Sequence, residues 1–262
     1  MTFISNKDYW LQHAIANIKA DYGDTVSAEA KNKDLLKFGR NQLIQTTKTT
    51  LMTLPTGIYN EVYLNSNSID TMSSSLTTAN ALLQVEGHTV SGGVFTFVTQ
   101  AATLNGRNKV TLTTPLARCT KAYNNGSVDT SGTVYFYENT AIVAGVPTDG
   151  NKVHLMIVAG LNNSEKASTT ISNTDYYVVT EFYCDCLEKV ATFGIVHLEV
   201  RLQGKVFRNV IDISANDTKD GRHEFHPYLV VPKNSDIRLR VTASSNNKDF
   251  SGGFEGVLLK VI

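Results

Sequence analysis

Cys184-Asp185-Cys186 is the spacing in this chain that most invites chemistry. Alternation along an extended backbone would put both sulfurs on one face of a strand, where a soft metal can be held. A structural zinc needs four ligands, and the remaining cysteine, Cys119, with His197 would have to complete the set at spacings that select neither. Small buried hydrophobes on a strand are the favoured reading. His223-Glu224-Phe225-His226 falls one residue short of the metalloprotease pattern His-Glu-x-x-His, whose fifth position here is Pro227. On a strand His223 and His226 point to opposite faces, which favours a solvated strand edge over a ligand pair. Asn216-Asp-Thr-Lys-Asp220-Gly221 has the rhythm of a calcium loop, but its closing glutamate position is again Pro227. It reads as a turn between two strands with Asp220-Gly221 at the tip. No Gly-x-Ser-x-Gly elbow, phosphate-cradling glycine loop or dinucleotide fingerprint occurs. The expectation is a protein that is not an enzyme, with no catalytic residues, no cofactor and no metal. Tyr135, Tyr137, Tyr176, Tyr177 and Tyr183 could stack on sugars or anchor an interface; β-propensity favours sheet packing for them.

The elements that would position these residues are strands. In the closing stretch, residues 232–262, Ile237, Leu239, Val241 and Ala243 alternate with Asp236, Arg238, Arg240, Thr242 and Ser244. That is the period of a half-buried strand, and it puts Arg238 and Arg240 on a solvated face. A polar link over 245–253 and an apolar strand over 254–262 complete a hairpin, whose end is expected to dock in a core. Val196, Leu198, Val200 and Leu202 likewise face inward while His197, Glu199, Arg201 and Gln203 face out, and Gln203-Gly204 turns the chain back. Asn105-Gly106 is a second turn signal. About ten such strands, with no alternating helices, predict a mainly β, antiparallel β-sandwich that is jelly-roll-like, with 51–262 as its body. Gly145 to Gly150, with Pro147 and Asp149, is the candidate boundary between two lobes.

Residues 1–50 differ, and predict a short helical N-terminal arm and linker. Ser5 with Asp8 marks a helix start, and Leu11, Ile15, Ile18 and Tyr22 form one stripe. Gly23 stops that helix, and a second, more polar helical piece is expected over 25–36. The stripe needs a partner, either the chain's own β body or a neighbouring subunit. Formal net charge is zero with no basic block, which argues against a phosphate-binding nucleic-acid partner. No apolar run approaches a membrane span, and the first eight residues turn polar too soon for a signal peptide. Three cysteines are too few for a disulfide framework and fit a reducing cytoplasm.

Two stretches carry a resemblance. Lys37-Phe38-Gly39-Arg40-Asn41 resembles a segment that opens the β body in a family of tailed-phage virion structural proteins. Pro232-Lys-Asn-Ser235-Asp236-Ile-Arg-Leu-Arg, followed by Ser251-Gly-Gly-Phe254-Glu-Gly-Val-Leu-Leu, is similar to that family's ending. The chain departs from many relatives in carrying Gln42-Leu-Ile-Gln-Thr where they have acidic residues. The resemblance implies a virion protein made in the host cytoplasm, an auxiliary capsid (decoration or cement) subunit. It would be homo-oligomeric, bound to the major capsid protein or other virion proteins, and free of nucleic acid and membrane. Under it, Trp10, Leu11, Ile15 and Ile18, with Phe38, Arg40 and Asn41, become the candidate attachment contacts. A tail or fibre carbohydrate-binding module and a head–tail junction protein are the alternatives.

Overall fold

A computed structural model describes residues 6–188 and 191–262. Residues 1–5, including Ser5 as the expected helix start, lie outside the described residues. The chain begins with a helix, α1 (Asn6–Tyr22), then β1 (Val26–Ile44) and the short β2 (Thr49–Thr50). A middle segment follows with β3 (Ile69–Ser74), β4 (Leu82–Ser91), β5 (Val94–Thr103), β6 (Val110–Leu116) and β7 (Arg118–Asn124). It continues through β8 (Val134–Glu138), β9 (Ile142–Val143), β10 (Val146–Pro147) and β11 (Val153–Ile157). The last segment holds β12 (Ser168–Ile171), β13 (Asp175–Cys186), β14 (Phe193–Leu202) and β15 (Arg208–Asn216). It ends with β16 (Gly221–Val231), β17 (Ser235–Ala243) and β18 (Lys248–Val261).

The first and last segments build one antiparallel sandwich from the sheets β1-β18-β13-β16 and β12-β17-β14-β15. With the middle segment set aside, these eight strands in chain order pair as 1-8-3-6 and 2-7-4-5, the strand order of a jelly roll. Tyr177, Val179, Phe182, Phe250 and Phe254 of one sheet meet Val196, Leu198, Ile237, Leu239 and Val241 of the other in a single buried cluster. The middle segment is an insertion between the first two jelly-roll strands. It has its own sheets, β11-β8-β3-β6 and β5-β4-β7, and its own core around Met72, Leu83, Val85, Leu116, Phe136 and Ile157.

This arrangement corrects three expectations. Residues 26–44 are strand β1, paired with β18 along most of its length, so the helical arm ends at Tyr22. Lys and Asp in that stretch favour neither state strongly, and β18 settles the matter by pairing from more than two hundred residues away. Gly145–Gly150 is not a lobe boundary, because it joins β8 and β11, which are hydrogen-bonded neighbours in one sheet. The partition lies where the insertion leaves and re-enters, at Met52 and Lys166, which bridge each other. The last strand also starts earlier than expected, at Lys248.

Where the two connecting chains pass beneath β1, space is the constraint. A Cβ on Gly39 would sit 2.0 Å from the Leu51 carbonyl oxygen and 2.5 Å from the Ala167 nitrogen. Both neighbours are backbone and hydrogen-bonded to each other, Ala167 N–H donating to Leu51 O at 3.1 Å. Gly39→Ala is therefore expected to lower folding stability by about 3 kcal/mol, read as a shift in the urea midpoint. An unchanged midpoint would contradict the close crossing.

Candidate assembly surface

Helix α1 carries four of the seven candidate contacts. Ile18 and Ala14 are buried in the jelly-roll cluster with Tyr176, Val178 and Leu259. By strand alternation those three face away from Tyr177, Val179 and Phe254, so α1 lies on the outer side of the β1-β18-β13-β16 sheet, against β16 and β1. Trp10, Leu11 and Ile15 are partly buried against the same cluster. The stripe thus packs on the chain's own body, and Gly23, at φ 73°, ends the helix with its N–H donating to Lys19 O. Tyr9 and Tyr22 are exposed, Tyr22 with its ring 5.4 Å from that of Tyr176. Trp10 and Leu11 each line a hollow beside the helix.

The other three candidates sit on β1. Phe38 is exposed (38 %). Arg40 donates from Nε (3.1 Å) and Nη2 (2.6 Å) to Asp249, tying β1 to the start of β18. Asn41 is buried; its Nδ2 donates to Thr50 O at 2.9 Å and its Oδ1 accepts from Leu43 N–H at 2.8 Å. Of these three, Phe38 and Arg40 both reach the surface, Arg40 while bonded to Asp249, and Asn41 is enclosed within the fold.

The strongest electrostatics lie at the junction of jelly roll and insertion, on residues that alternation assigned to solvent. Asp236 of β17 is fully buried. Arg118, from β7 of the insertion, donates to both of its oxygens (3.0 and 3.2 Å), Arg201 donates to Oδ2 (2.9 Å) and Thr170 Oγ1 to Oδ1 (2.6 Å). Burial pushes this carboxyl up, but the Arg118 charge and hydrogen bonds, with Arg201 and Thr170, outweigh it and leave its pKa below the usual range. Beside it Lys166 bonds Glu61, and Ser168 Oγ donates to Glu61 Oε2 at 2.8 Å. The Arg201 and Arg238 guanidinium carbons lie 4.7 and 3.6 Å from the Phe207 ring centroid. Arg238 and Arg240 are not on a solvated face. Both donate to Glu199, which also accepts from Lys48 at 2.9 Å. Burial alone would raise Glu199, yet the hydrogen bonds from Arg240 and Lys48 and the two arginine charges hold it at about 2. Further along β14, His197 Nδ1 lies 2.6 Å from Asp212 and its Nε2 3.0 Å from Thr242 Oγ1.

The metal and nucleophile candidates are dispersed. Cys119 belongs to the insertion core, where burial pushes its thiol up to about 12. Burial also raises Cys184 and Cys186, and Cys184 packs inside the jelly roll. Among the described residues no cluster of three or more His, Cys, Asp or Glu could hold a metal ion. His223 meets Phe182 at a tilt and Phe225 edge-on, while His226 faces the opposite way toward Trp10. The turn over 216–221 joins β15 to β16, bridged between Asn216 and Lys219. Tyr176, Tyr177 and Tyr137 are buried in sheet cores. Among the described residues no helix is long and apolar enough to cross a membrane.

No family model matches the chain, and no curated protein matches it. Among solved structures, a chain from infectious bursal disease virus, Gt strain, is 12% identical, covering 91% of this chain and 74% of that one at a TM-score of 0.24. A chain from the Gx strain is 11% identical, covering 94% and 78% at 0.25. A chain from T=1 particles derived from infectious bursal virus is 12% identical, covering 95% and 75% at 0.23. Similarity at this level carries no argument about kinship or function.

Two expectations follow from the junction. Arg118→Ala leaves Asp236 buried with only part of its compensation, and should cost about 3 kcal/mol in denaturant unfolding, with Arg118→Lys recovering only part. The second concerns pH. Glu199 is held ionised more firmly in the folded chain than in the unfolded one. Its contribution, on the order of 3 kcal/mol, is therefore full above about pH 4.5 and lost as pH falls toward 2. Melting temperature followed across that range should fall, and Glu199→Gln should flatten the fall.

Proposed function

We propose that this chain is a non-catalytic structural protein of a tailed-phage virion, an auxiliary capsid subunit of the decoration or cement kind. The observation that carries the reading is that the two stretches behind the resemblance are partners in the fold. Phe38, Gly39, Arg40 and Asn41 pair in register with Gly253, Gly252, Ser251 and Phe250. Segments some two hundred residues apart in the chain thus form one structural unit, as a family signature for a fold element would. The jelly-roll strand order adds an analogy at the level of fold, since capsid domains recur on it among other functions.

In this reading the jelly roll with α1 is the part that attaches to the head, and the insertion projects from it. Partners are the major capsid protein or other virion proteins and further copies of this chain, with no nucleic acid or membrane involved. The protein resides on the virion after synthesis in the host cytoplasm. A second reading, a carbohydrate-binding tail or fibre module, draws on a cleft of about 260 Å³ between the lobes, lined by Phe97, Glu86, Thr120, Thr169 and Thr170. The Phe97 ring beside hydroxyls and the carboxylates of Glu86 and Asp175 suits a sugar.

Purified protein mixed with phage heads and sedimented separates these. Saturable, stoichiometric co-sedimentation is the expected result. Failure to bind heads, joined to selective signals on a glycan array, would transfer the assignment to the cleft. Rings of six or twelve in native mass spectrometry would favour a head–tail junction protein instead.

A further inference from the structure

The hollow that Trp10 lines has a chemistry of its own. It measures about 310 Å³ and lies between α1 and the outer face of the β13, β16 and β18 strands. Three rings border it: Trp10, with its centroid 5.8 Å from His226, which lies 6.4 Å from Tyr228. Three carboxylates, Glu181, Glu224 and Glu255, stand against one guanidinium, Arg222, and the His226 imidazole, whose Nε2 is 3.5 Å from Glu224. That guanidinium is engaged by Glu181, to which its Nε donates at 3.0 Å, and it is 3.8 Å from Glu224. Glu224 and Glu255 are exposed. A second hollow of about 510 Å³ adjoins the first, sharing Thr180, Tyr228 and Glu255, and adds the apolar side chains of Leu11, Leu36 and Val257 together with Asp8.

We propose that this groove is a socket for a lysine or arginine side chain on an exposed segment of a neighbouring protein. An apolar wall leading to an aromatic and acidic end matches such a side chain part by part. The methylene stem lies along Leu11, Leu36 and Val257, and the charged head meets the ring faces and the exposed carboxylates of Glu224 and Glu255. Phosphate-bearing partners, nucleic acid or anionic lipid, meet repulsion from the same carboxylates. The proposal deepens the attachment reading above and rests on it only for the partner being a virion protein; the preference for a cation comes from the groove alone.

Trp10 is the only tryptophan in the chain, so its fluorescence reports on this groove and nowhere else. The full-length protein is titrated with a short peptide of alternating lysine and serine, and with the same peptide Nε-acetylated on every lysine. The expected result is a saturable change in Trp10 emission with the first peptide, weakening as salt is raised, and binding roughly tenfold weaker for the acetylated one. A Glu224→Gln, Glu255→Gln double variant with an unchanged circular dichroism spectrum should lose binding to a similar degree. No saturable change, equal binding of the acetylated peptide, or undiminished binding by the folded double variant would each overturn the proposal. Peptide binding without binding to phage heads would leave the socket standing and remove the virion reading. Heads bound equally well by the double variant would do the reverse.

Discussion

A carboxylate with no access to water organises this molecule. Asp236 sits at the start of β17, and its charge is tolerable only because donors converge on it from Arg118, Arg201 and Thr170. Those donors belong to β7 of the insertion and to β14 and β12, the two sheet neighbours of β17, so one buried charge ties the insertion to the jelly roll. Lys166 and Glu61 repeat the device at the neck where the insertion returns. Ion pairs of this kind add little net stability compared with apolar packing. They are strict about geometry, and an insertion that shifted on the jelly roll would leave charge buried without a partner. Two cores that could have moved independently are thereby held in one orientation.

The same network explains which parts of the fold were legible in the sequence. Local pattern identified the β class, the inward faces of β14 and β17 except for Leu202, which is exposed at the end of β14, the helix stopped at Gly23, and the turns at Asn105-Gly106 and Gln203-Gly204, because each depends on neighbouring residues. It also grouped Glu199 and Arg201, and Asp236, Arg238 and Arg240, correctly as sharing the face opposite the core. It could not say what covers that face. The covering groups come from the 48–64 connection and the insertion, through Lys48, Tyr63 and Arg118. Period two reports which side chains share a side; burial of that side is a tertiary fact.

Residues 25–36 show the limit from the other direction. Their polar, helix-compatible composition carries no strong local preference, and β18 supplies the decision by pairing with β1 from the far end of the chain. The insertion boundary was hidden for a related reason. Gly145 to Gly150 has the composition of a linker but joins two strands of one sheet. The real crossing at Met52 and Lys166 is marked in sequence only by Pro55 and Gly57 just inside the insertion, and in the fold by the tight approach that Gly39 permits to the Leu51 carbonyl.

Overall neutrality is likewise a sum that conceals placement. At the junction, cations and anions are paired inside the protein and cancel over a few ångströms, so they project little field outward. At the α1 groove Arg222 is engaged by Glu181, while Glu224 and Glu255 stand exposed with only Arg222 and His226 nearby, so the groove keeps an acidic excess. Zero net charge removes the net-charge part of any long-range steering and leaves local fields, such as that of the groove, to act over about a Debye length.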